Sequence, residues 1–482
     1  MNNSDLKKSL IKSFSWKLSE RLGNQGFQLL VSIILARILS PKDYGTIAII
    51  ASIMAIFNVI IETGFLSALI QKKNVDELDF NTIFVINLVI STFFYVIFFL
   101  LAPKIARFYE DNRLIEYIRV YSTLLIINSL TVTQTAKIYR MMLFKENFKY
   151  AFTATVLSGF LGIVMALMQF GAWSIIFQQL SYKIIYSISL IRNVDQKPRL
   201  KFSSERARSL MRFNLNILGN NLINVIYMQG YNLIIGKVYP PEQLAYFNKA
   251  ELFPAIIATN TDYAMQGVLL SGYSKIQDDF SEVKKMMRRS IKISFFFIFP
   301  MMIGLASVAD SFVSIILTEK WLPCVPFLQM FCINYSLQPS RTASIQAMNA
   351  IGKSEVSFKL VFITKVIGFI VLFFTSKINI IAIAIGLTTI SILSTLITFF
   401  PNNKYLKYSA IEQIMDILPV IICTAIMYMG IYYIPDLRLS TILTMLLQVA
   451  VGVVLYLLSS IIINNKEAKY IINVMKMAIT RN

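Results

Sequence analysis

The sequence predicts an all-α integral membrane protein with about fourteen transmembrane helices, arranged as two pseudo-symmetric six-helix lobes followed by a C-terminal helix pair. Three observations carry this prediction. The 482 residues are 56% hydrophobic and only 15% charged, which is too apolar for a soluble globule. Apolar stretches of about twenty residues, long enough to cross the hydrocarbon core, recur along the whole chain. One helix-and-turn unit also appears twice, about 200 residues apart.

The first copy of the repeat, from Trp16 to Ile49, consists of a long helix, a Pro-containing turn and the start of the next helix. The turn ILARILSPKDYG, from Ile34, aligns with IIGKVYPPEQLA, from Ile234. Each long helix carries a polar stripe on an otherwise apolar surface, made of Arg21, Gln25 and Gln28 in the first copy and of Asn220, Asn224, Tyr227 and Tyr231 in the second. Such stripes do not belong in lipid, so both are predicted to face a water-filled cavity.

The predicted spans divide the chain into three parts, which we take as residues 1–200, 201–405 and 406–482. The N-terminal lobe holds spans 14–38, 43–70, 81–102, 114–136, 150–170 and 172–191, and the C-terminal lobe holds 212–236, 243–270, 290–309, 322–349, 357–376 and 378–400. Helices thirteen and fourteen cover 413–434 and 439–463, before a predicted cytoplasmic tail. Two short segments, Pro103 to Asn112 and Ala309 to Trp321, are predicted to be amphipathic helices on the outer face.

The loop charges orient the predicted helices. The formal net charge is +20, and most loop lysines and arginines fall on the side that holds the N-terminus. The positive-inside rule therefore predicts that both ends lie in the cytoplasm. Because the basic residues are sorted by membrane side, the excess charge does not indicate a nucleic-acid partner.

The residue types present exclude several classes of chemistry. Histidine is absent, which removes His-based acid–base catalysis and most zinc sites. Cys324, Cys332 and Cys423 lie in apolar segments, so neither a disulfide framework nor a CxxC metal site is predicted. A GxxxxGK[ST] segment is also lacking, so ATP hydrolysis is not supported. We therefore expect no enzyme activity, no metal and no cofactor, and transport driven either by an ion gradient or by the substrate's own gradient.

Charged residues within the predicted spans are expected only where they have a partner or a function. Each one at the centre of a span raises the free energy of membrane insertion by on the order of 3 kcal/mol. Lys17 and Arg119 lie near span ends, where their side chains can reach the headgroups. The deeper basic residues are interpreted as the walls of a cationic cavity. With Arg21 from the polar stripe, the predicted substrate-binding set is Arg21, Lys183, Lys249, Arg341 and Lys365. Tyr246 and Asn260 share a helical face with Lys249 and complete the polar lining.

Three carboxylates within the spans are candidates for binding a coupling H⁺ or Na⁺: Glu62, Glu20 and Asp262. Glu62 has a second interpretation, in which it caps a helix break at Gly64. Glu20 could instead form a simple ion pair with Lys17 or Arg21. The sequence leaves these alternatives open.

Three runs carry a resemblance to a known family: LARILSPKDYG from Leu35, ETGFLSALIQKK from Glu62 to Lys73, and Arg140 with the LFKENFKY run that follows it. They resemble the bacterial Wzx-type polysaccharide repeat-unit flippases of the multidrug/oligosaccharidyl-lipid/polysaccharide exporter superfamily. The resemblance implies two lobes around a cationic cavity that opens alternately to either side of the cytoplasmic membrane. It also implies an undecaprenyl-pyrophosphate-linked oligosaccharide as substrate, for O-antigen, capsule or exopolysaccharide synthesis, with exchange against H⁺ or Na⁺.

The implied substrate suits the residue types. Buried Lys and Arg would attract the pyrophosphate, while the amides and phenols of the polar stripes suit sugar hydroxyls. Beyond membrane lipids, the resemblance implies a polysaccharide polymerase and glycosyltransferases of the same pathway as partners.

The repeat is not uniform, and two other functions stay open. Ala245 stands where the first copy has Gly45, and the equivalents of Arg21 and Gln25 are the neutral Asn220 and Asn224. The cavity is therefore predicted to be asymmetric in charge. One alternative is a flippase for a peptidoglycan lipid precursor, which needs the same chemistry for a different headgroup. The other is a multidrug or cation exporter of the same superfamily, although such pumps favour carboxylates in the cavity.

Overall fold

The computed structural model describes residues 23–463 apart from 196, 198, 274 and 435–439, and every regular element in that part is a helix. The early helices follow the order predicted from the apolar stretches. They are α1 (23–38), α2 (Pro41–Gln71), α3 (Glu77–Tyr109), α4 (Leu114–Tyr121), α5 (Thr123–Ser129), α6 (Val132–Met141), α7 (Phe144–Leu167), α8 (Ala172–Asn193) and α9 (Ser204–Val238).

The later helices continue the same pattern. They are α10 (Pro241–Tyr273), α11 (Phe280–Ser307), α12 (Ala309–Ile316), a 3₁₀ helix (Glu319–Cys324), α13 (Val325–Ser336), α14 (Gln338–Ala350), α15 (Ser354–Thr375), α16 (Ile380–Leu406), α17 (Ala410–Tyr432) and α18 (Thr441–Ile462). Eight helices in the described ranges are long and apolar enough to cross a membrane: α2, α3, α7, α11, α15, α16, α17 and α18. The predicted all-α membrane fold is confirmed, whereas the count of fourteen spans stays a prediction.

The chain packs as two compact units, and the boundary between them falls inside α10, between Ala245 and Tyr246. In the first unit, α9 packs along α2 and also contacts α3. In the second unit, α17 packs against both α11 and α18. The predicted lobes instead follow the sequence repeat, which assigns α9 to the second half. A sequence repeat shows which segments are related, whereas packing shows which helices are in contact, and the two need not give the same boundary. The lobe boundaries therefore stay a prediction.

The fourth predicted span of each half is broken, although the sequence predicts a continuous helix. The span predicted at 114–136 consists of α4, α5 and α6, and the span predicted at 322–349 consists of the 3₁₀ helix, α13 and α14. Apolar length does not reveal such breaks, because a broken helix is as hydrophobic as an intact one. Their occurrence at corresponding positions supports the internal repeat.

The two repeated turns are confirmed, and they meet within the first unit. α2 begins at Pro41, after Ser40 and Asp43 form a capping box, and α10 begins at Pro241. A Cβ atom on Gly45 would lie 1.7 Å from the carbonyl oxygen of Pro241. Gly45 is therefore required by the close approach of the two turns.

At two of the prolines that lie inside long helices, Pro103 and Pro300, a side chain on another helix supplies the missing hydrogen bond. α3 continues through Pro103, so the amphipathic helix predicted from Pro103 to Asn112 is wrong. Pro103 leaves the carbonyl of Phe99 without its usual donor, and Arg119 Nε donates to that oxygen at 3.4 Å. Pro300 does the same to Phe296, whose carbonyl accepts from the Tyr456 hydroxyl at 2.7 Å. These donors let the helices stay intact in an apolar surrounding.

Candidate functional site

A polar cavity of about 270 Å³ lies inside the first unit. Six helices contribute to it, and the sequence predicts that its residues lie towards the cytoplasmic ends of those helices. Its lining consists of Asn24, Glu62, Leu66, Asn128, Thr131, Val132, Thr135, Asn147, Ala151, Tyr182, Lys183 and Tyr186. Amides, hydroxyls and phenols thus line a cavity within an otherwise apolar bundle.

Lys183 and Glu62 form an ion pair in this cavity. The Lys183 Nζ lies 3.4 Å from Glu62 Oε1, and the two side chains are 29% and 46% exposed. The sequence predicts them as separate residues, one for substrate binding and one for ion coupling, and the structure brings them together. The alternative in which Glu62 caps a break at Gly64 is wrong, because α2 continues unbroken to Gln71.

Neutral hydrogen bonds organise the rest of the cavity. Asn128 Nδ2 donates to Asn58 Oδ1 at 2.8 Å, and the Tyr186 hydroxyl donates to Asn147 Oδ1 at 2.8 Å. The Asn128 side chain is buried, and its Oδ1 has no hydrogen-bond partner among the described residues. None of these residues was predicted from the sequence. The four-residue spacing of Asn58 and Glu62 on α2 is a signal that could have indicated Asn58.

Arg140, which carries part of the family resemblance, holds the end of α2. Its Nη1 donates to the carbonyls of Leu69, Ile70 and Lys72 at 2.7, 3.1 and 2.7 Å, and its Nη2 donates to Lys73. The last carbonyls of a helix have no partners within the helix. Arg140 therefore fixes the end of the α2 segment that carries Glu62, so two of the runs that carry the family resemblance are in contact.

The loop after α2 is fastened to α3 and α9. Lys72 Nζ lies 2.7 Å from Asp79 Oδ1, and Arg206 Nη2 lies 3.0 Å from Asp76 Oδ2. The Asp79 backbone N–H donates to Asp76, and this bond, together with Arg206, holds the pKa of the Asp76 carboxyl below its usual value. Charged contacts outside the cavity thus hold the loop between α2 and α3.

In the second unit, Lys249 lies at an aromatic site. Its side chain is buried, with 6% exposure, and its Nζ lies 5.9 Å from the centre of the Trp321 ring. Tyr246 contacts the same Trp321 ring edge-on, with 5.9 Å between ring centres. Tyr246 and Lys249 are therefore close to each other, as predicted, and both lie against Trp321, which was not among the predicted site residues.

Two carboxylates on α10 in the second unit, Asp262 and Glu251, accept hydrogen bonds from neutral groups. Asp262 accepts from the Thr342 hydroxyl at 2.9 Å and from the Gln338 amide. Glu251 accepts from the Tyr335 hydroxyl at 2.6 Å. The ion-coupling candidate Asp262 is thus seated against α14, whose Gln338 and Thr342 lie one helical turn apart.

The remaining basic candidates of the second unit lie on other helices. Arg341 on α14 donates to the Ser391 carbonyl at 3.0 Å and to the Ser391 hydroxyl on α16. Lys365 on α15 and Asn260 on α10 are half-buried. Lys183 lies in the first compact unit, whereas Lys249, Arg341 and Lys365 lie in the second.

The polar stripes of the repeat are only partly within the described residues. On α1, Gln25 is half-buried and Gln28 is exposed; on α9, Asn224 is exposed and Tyr231 is buried. The hydroxyl oxygens of Tyr227 and Tyr231 lie 3.3 Å apart. Arg21, Glu20 and the Asn220 side chain lie outside the part of the chain that the structure describes, so their roles stay predictions.

A charged cluster in the second unit was not predicted. Asp416 on α17 accepts from Arg288 Nε at 2.7 Å and Nη2 at 2.8 Å, and from the Tyr408 hydroxyl at 2.7 Å. Lys292 Nζ lies 3.0 Å from the same carboxylate. The bidentate contact and the low exposure of Asp416 are typical of a structural ion pair.

The chain matches a protein family described as polysaccharide biosynthesis protein over residues 34–326. The succinoglycan biosynthesis transport protein ExoT of Rhizobium meliloti (strain 1021) is 22% identical over 351 residues, which cover 73% of this chain and 71% of ExoT. The lipopolysaccharide biosynthesis protein WzxC of Escherichia coli (strain K12) is 21% identical over 420 residues, covering 85% and 84%. The teichuronic acid biosynthesis protein TuaB of Bacillus subtilis (strain 168) is 24% identical over 303 residues, covering 62% of each chain.

Solved structures show the same fold at low sequence identity. The lipid II flippase MurJ in an inward closed conformation superposes with a TM-score of 0.77 at 16% identity, covering 92% of this chain and 98% of MurJ. An inward-facing multidrug resistance transporter of the MATE family, from the MOP superfamily, has a TM-score of 0.61 at 17% identity, covering 80% and 96%. These similarities establish the fold. The transported substrate has to be inferred from the residues of the site.

Proposed function

Because the chain belongs to the polysaccharide biosynthesis protein family, we propose that it is a flippase that moves a lipid-linked oligosaccharide across the bacterial cytoplasmic membrane. It would act in O-antigen, capsule or exopolysaccharide synthesis. Relatives named for succinoglycan transport, lipopolysaccharide biosynthesis and teichuronic acid biosynthesis support this assignment. Among the described residues, eight apolar helices are long enough to cross a membrane, which fits a multi-pass transporter.

The observation that carries the proposal is the polar cavity inside the first unit. A lipid-linked oligosaccharide has a hydrophilic, anionic headgroup and an isoprenoid tail that is at home in lipid. Lys183 offers the phosphates a positive charge, and Asn128 and Thr135 offer the sugar hydroxyls hydrogen-bonding partners. A cavity with this lining would hold the phosphate end of the headgroup away from hydrocarbon.

The proposed transport cycle is alternating access without chemical conversion of the substrate. The cavity would receive the headgroup on the cytoplasmic side and release it on the other, with both chain termini in the cytoplasm. Coupling to H⁺ or Na⁺ is assigned to Glu62, with Glu20 and Asp262 as further candidates. A polymerase and glycosyltransferases of the same pathway would consume and supply the substrate.

The test is a translocation assay in vesicles that contain the purified full-length chain. Lipid-linked oligosaccharide extracted from the cells of origin is placed in the inner leaflet, and an impermeant sugar-oxidising reagent outside reports the headgroups that have crossed. We expect protein-dependent exposure of the headgroup, and its loss in Lys183→Gln. Lys359→Gln, which changes an exposed lysine on α15, is the matched control and should transport normally.

Two further substrates in the same vesicles separate the proposal from its rivals. A peptidoglycan lipid precursor tests the related flippase function, and a fluorescent organic cation tests drug export. Faster movement of either one than of the oligosaccharide would replace the proposed function. Normal movement of the oligosaccharide by Lys183→Gln would remove the polar cavity from the mechanism.

A further inference from the structure

We propose that the connection between α8 and α9 contains a docking site for the headgroup of an anionic phospholipid. The site consists of residues 199–202, with the sequence RLKF, which we call the RLKF segment. Arg199 and Lys201 contact the lipid phosphate. Leu200 and Phe202 enter the apolar edge of the bilayer beside it. This lipid is a bound component of the surrounding membrane, so the inference does not rest on the proposed function.

The backbone of the RLKF segment is held at the end of a helix that is long and apolar enough to cross a membrane. The Arg199 N–H donates to Asn81 Oδ1 at 2.9 Å, and the N–H of Ser203 donates to Thr82 Oγ1 at 3.2 Å. Asn81 and Thr82 are buried in the first two turns of α3, which begins at Glu77. The segment therefore lies where α3 leaves the hydrocarbon, at the level of the lipid headgroups.

The two apolar side chains of the RLKF segment are exposed. Leu200 is 79% exposed and Phe202 is 56% exposed, although hydrogen bonds to α3 hold the backbone on both sides of them. Large apolar side chains on a fixed backbone are unfavourable in water and favourable at the boundary between headgroups and acyl chains. Their position at the end of α3 therefore indicates contact with lipid.

The basic side chains of the RLKF segment are available to an anion. Arg199 and Lys201 are exposed, and neither forms an ion pair within the part of the chain that the structure describes, whereas Arg206 pairs with Asp76. Residues 192–208 include six basic and only two acidic residues. Long basic side chains lie along apolar surface with their charged ends at the headgroups, and a guanidinium can bind two phosphate oxygens. The segment therefore favours an anionic headgroup over a zwitterionic one.

The start of α11 provides a contrast within the same chain. Phe280 is the first residue of this helix and is 50% exposed, similar to Phe202. Its sequence neighbours include Asp278, Asp279 and Glu282. Carboxylates repel an anionic headgroup, so an exposed phenylalanine in this setting has no reason to select such a lipid. Phe280 is therefore a matched control position for Phe202.

Fluorescence quenching in vesicles of defined composition tests the site. Full-length Phe202→Trp protein is reconstituted into phosphatidylcholine that contains increasing fractions of phosphatidylglycerol or phosphatidylcholine with brominated acyl chains. The emission of the wild type, which has three tryptophans, is subtracted. A basic residue near an anionic surface strengthens binding by about 5-fold. We expect quenching by both lipids, with an association constant at least about 5-fold larger for phosphatidylglycerol.

Charge variants made in the Phe202→Trp protein test the basic residues. Arg199→Gln combined with Lys201→Gln should reduce the preference for phosphatidylglycerol to about 1-fold, because the positive charge of the segment is removed. Lys275→Gln combined with Lys359→Gln removes two exposed lysines elsewhere and should leave the preference unchanged. A full preference in the first double variant, or its equal loss in both, would contradict the proposed role of the segment.

The reporter position has its own controls. Phe280→Trp should show no preference for phosphatidylglycerol, and a preference as large as that of Phe202→Trp would reduce the result to a general attraction of lipid to the protein. Leu200→Trp is a second reporter in the same segment and replaces Phe202→Trp if that variant fails to fold. Absence of quenching by either lipid would mean that the segment faces solvent or another protein, and equal quenching by both would remove the selectivity. Either result would overturn the inference.

Discussion

The two compact units hold their membrane-embedded charges in different ways. In the first unit, Lys183 and Glu62 face each other in a polar cavity and remain accessible. In the second unit, Asp262 accepts hydrogen bonds from neutral side chains of α14, and Arg341 donates to Ser391. The first arrangement leaves charges open to a ligand, whereas the second fastens helices to one another.

The cavities described in the two units also differ in polarity. The second unit contains a cavity of about 470 Å³ between α11, α12, α17 and α18, and its lining is almost entirely apolar. Gln448 and the Tyr456 hydroxyl are the polar groups among residues such as Phe297, Met301 and Met427. This apolar cavity includes α17 and α18, which lie outside the predicted repeat, so it is not the counterpart of the polar cavity. The difference in polarity supports the proposal that the headgroup binds in the first unit.

The largest expected effect comes from making the two charges of the first unit alike. Lys183→Glu replaces the partner of Glu62 with a second carboxylate in the same cavity, where only a cation would relieve the repulsion. We expect transport in the vesicle assay to fall to background. Exchange of both residues, Lys183→Glu with Glu62→Lys, should restore folding and partial headgroup binding, because the pair is re-formed.

Arg341→Gln in the vesicle assay tests whether the charges of the second unit have a structural role. If the charges of the second unit fasten helices, this variant should keep transport and lose thermal stability through its bonds to Ser391. Complete loss of transport at wild-type stability would show that Arg341 binds substrate, as the sequence predicts, and would break the contrast between the units.

A smaller effect is expected from the structural ion pair of the second unit. Asp416→Asn removes the carboxylate that Arg288 and Lys292 share, and leaves both cations without it. Since Arg288 is partly exposed, we expect the free energy of unfolding to fall by about 2–3 kcal/mol, below the full cost of breaking a buried pair. Thermal unfolding of the purified protein measures this, and an unchanged midpoint would contradict it. Transport per folded molecule should stay normal.

Next in size is the helix-end contact of the first unit. Arg140→Ala removes the donor to the last carbonyls of α2 and should lower the free energy of unfolding by about 2 kcal/mol. Arg140→Lys keeps one charged donor and should recover part of the loss. Because α2 carries Glu62, headgroup translocation in the vesicle assay should also slow in Arg140→Ala. A loss of stability with unchanged translocation would separate the helix end from the cavity.

The smallest effect concerns the carbonyl released by a proline. Tyr456→Phe removes the hydroxyl that donates to Phe296, and we expect a loss of about 1 kcal/mol in the free energy of unfolding. Tyr432→Phe, at an exposed position on α17, is the matched control and should unfold like the wild type. Equal unfolding of the two variants would mean that the carbonyl of Phe296 finds another donor.

The sequence predicted the elements that depend on local pattern. Hydrophobic length located the long helices, and the repeat located the two turns that begin α2 and α10 at Pro41 and Pro241. The sequence prediction was wrong where one local pattern is compatible with two backbone conformations. Pro103 suggested the end of α3, but Arg119, sixteen residues further along the chain, supplies a hydrogen bond to the released Phe99 carbonyl.

The candidate site divides along the same line. The cost of burying charge was enough to select Lys183 and Glu62 from the sequence, because it depends only on residue type and position within a span. The partner of each charge was decided by tertiary structure: Lys183 and Glu62 are 121 residues apart in the chain, and Arg288 and Asp416 are 128 apart. Distances between such residues depend on how whole helices pack, and the hydrophobic pattern of a single helix contains no information about them.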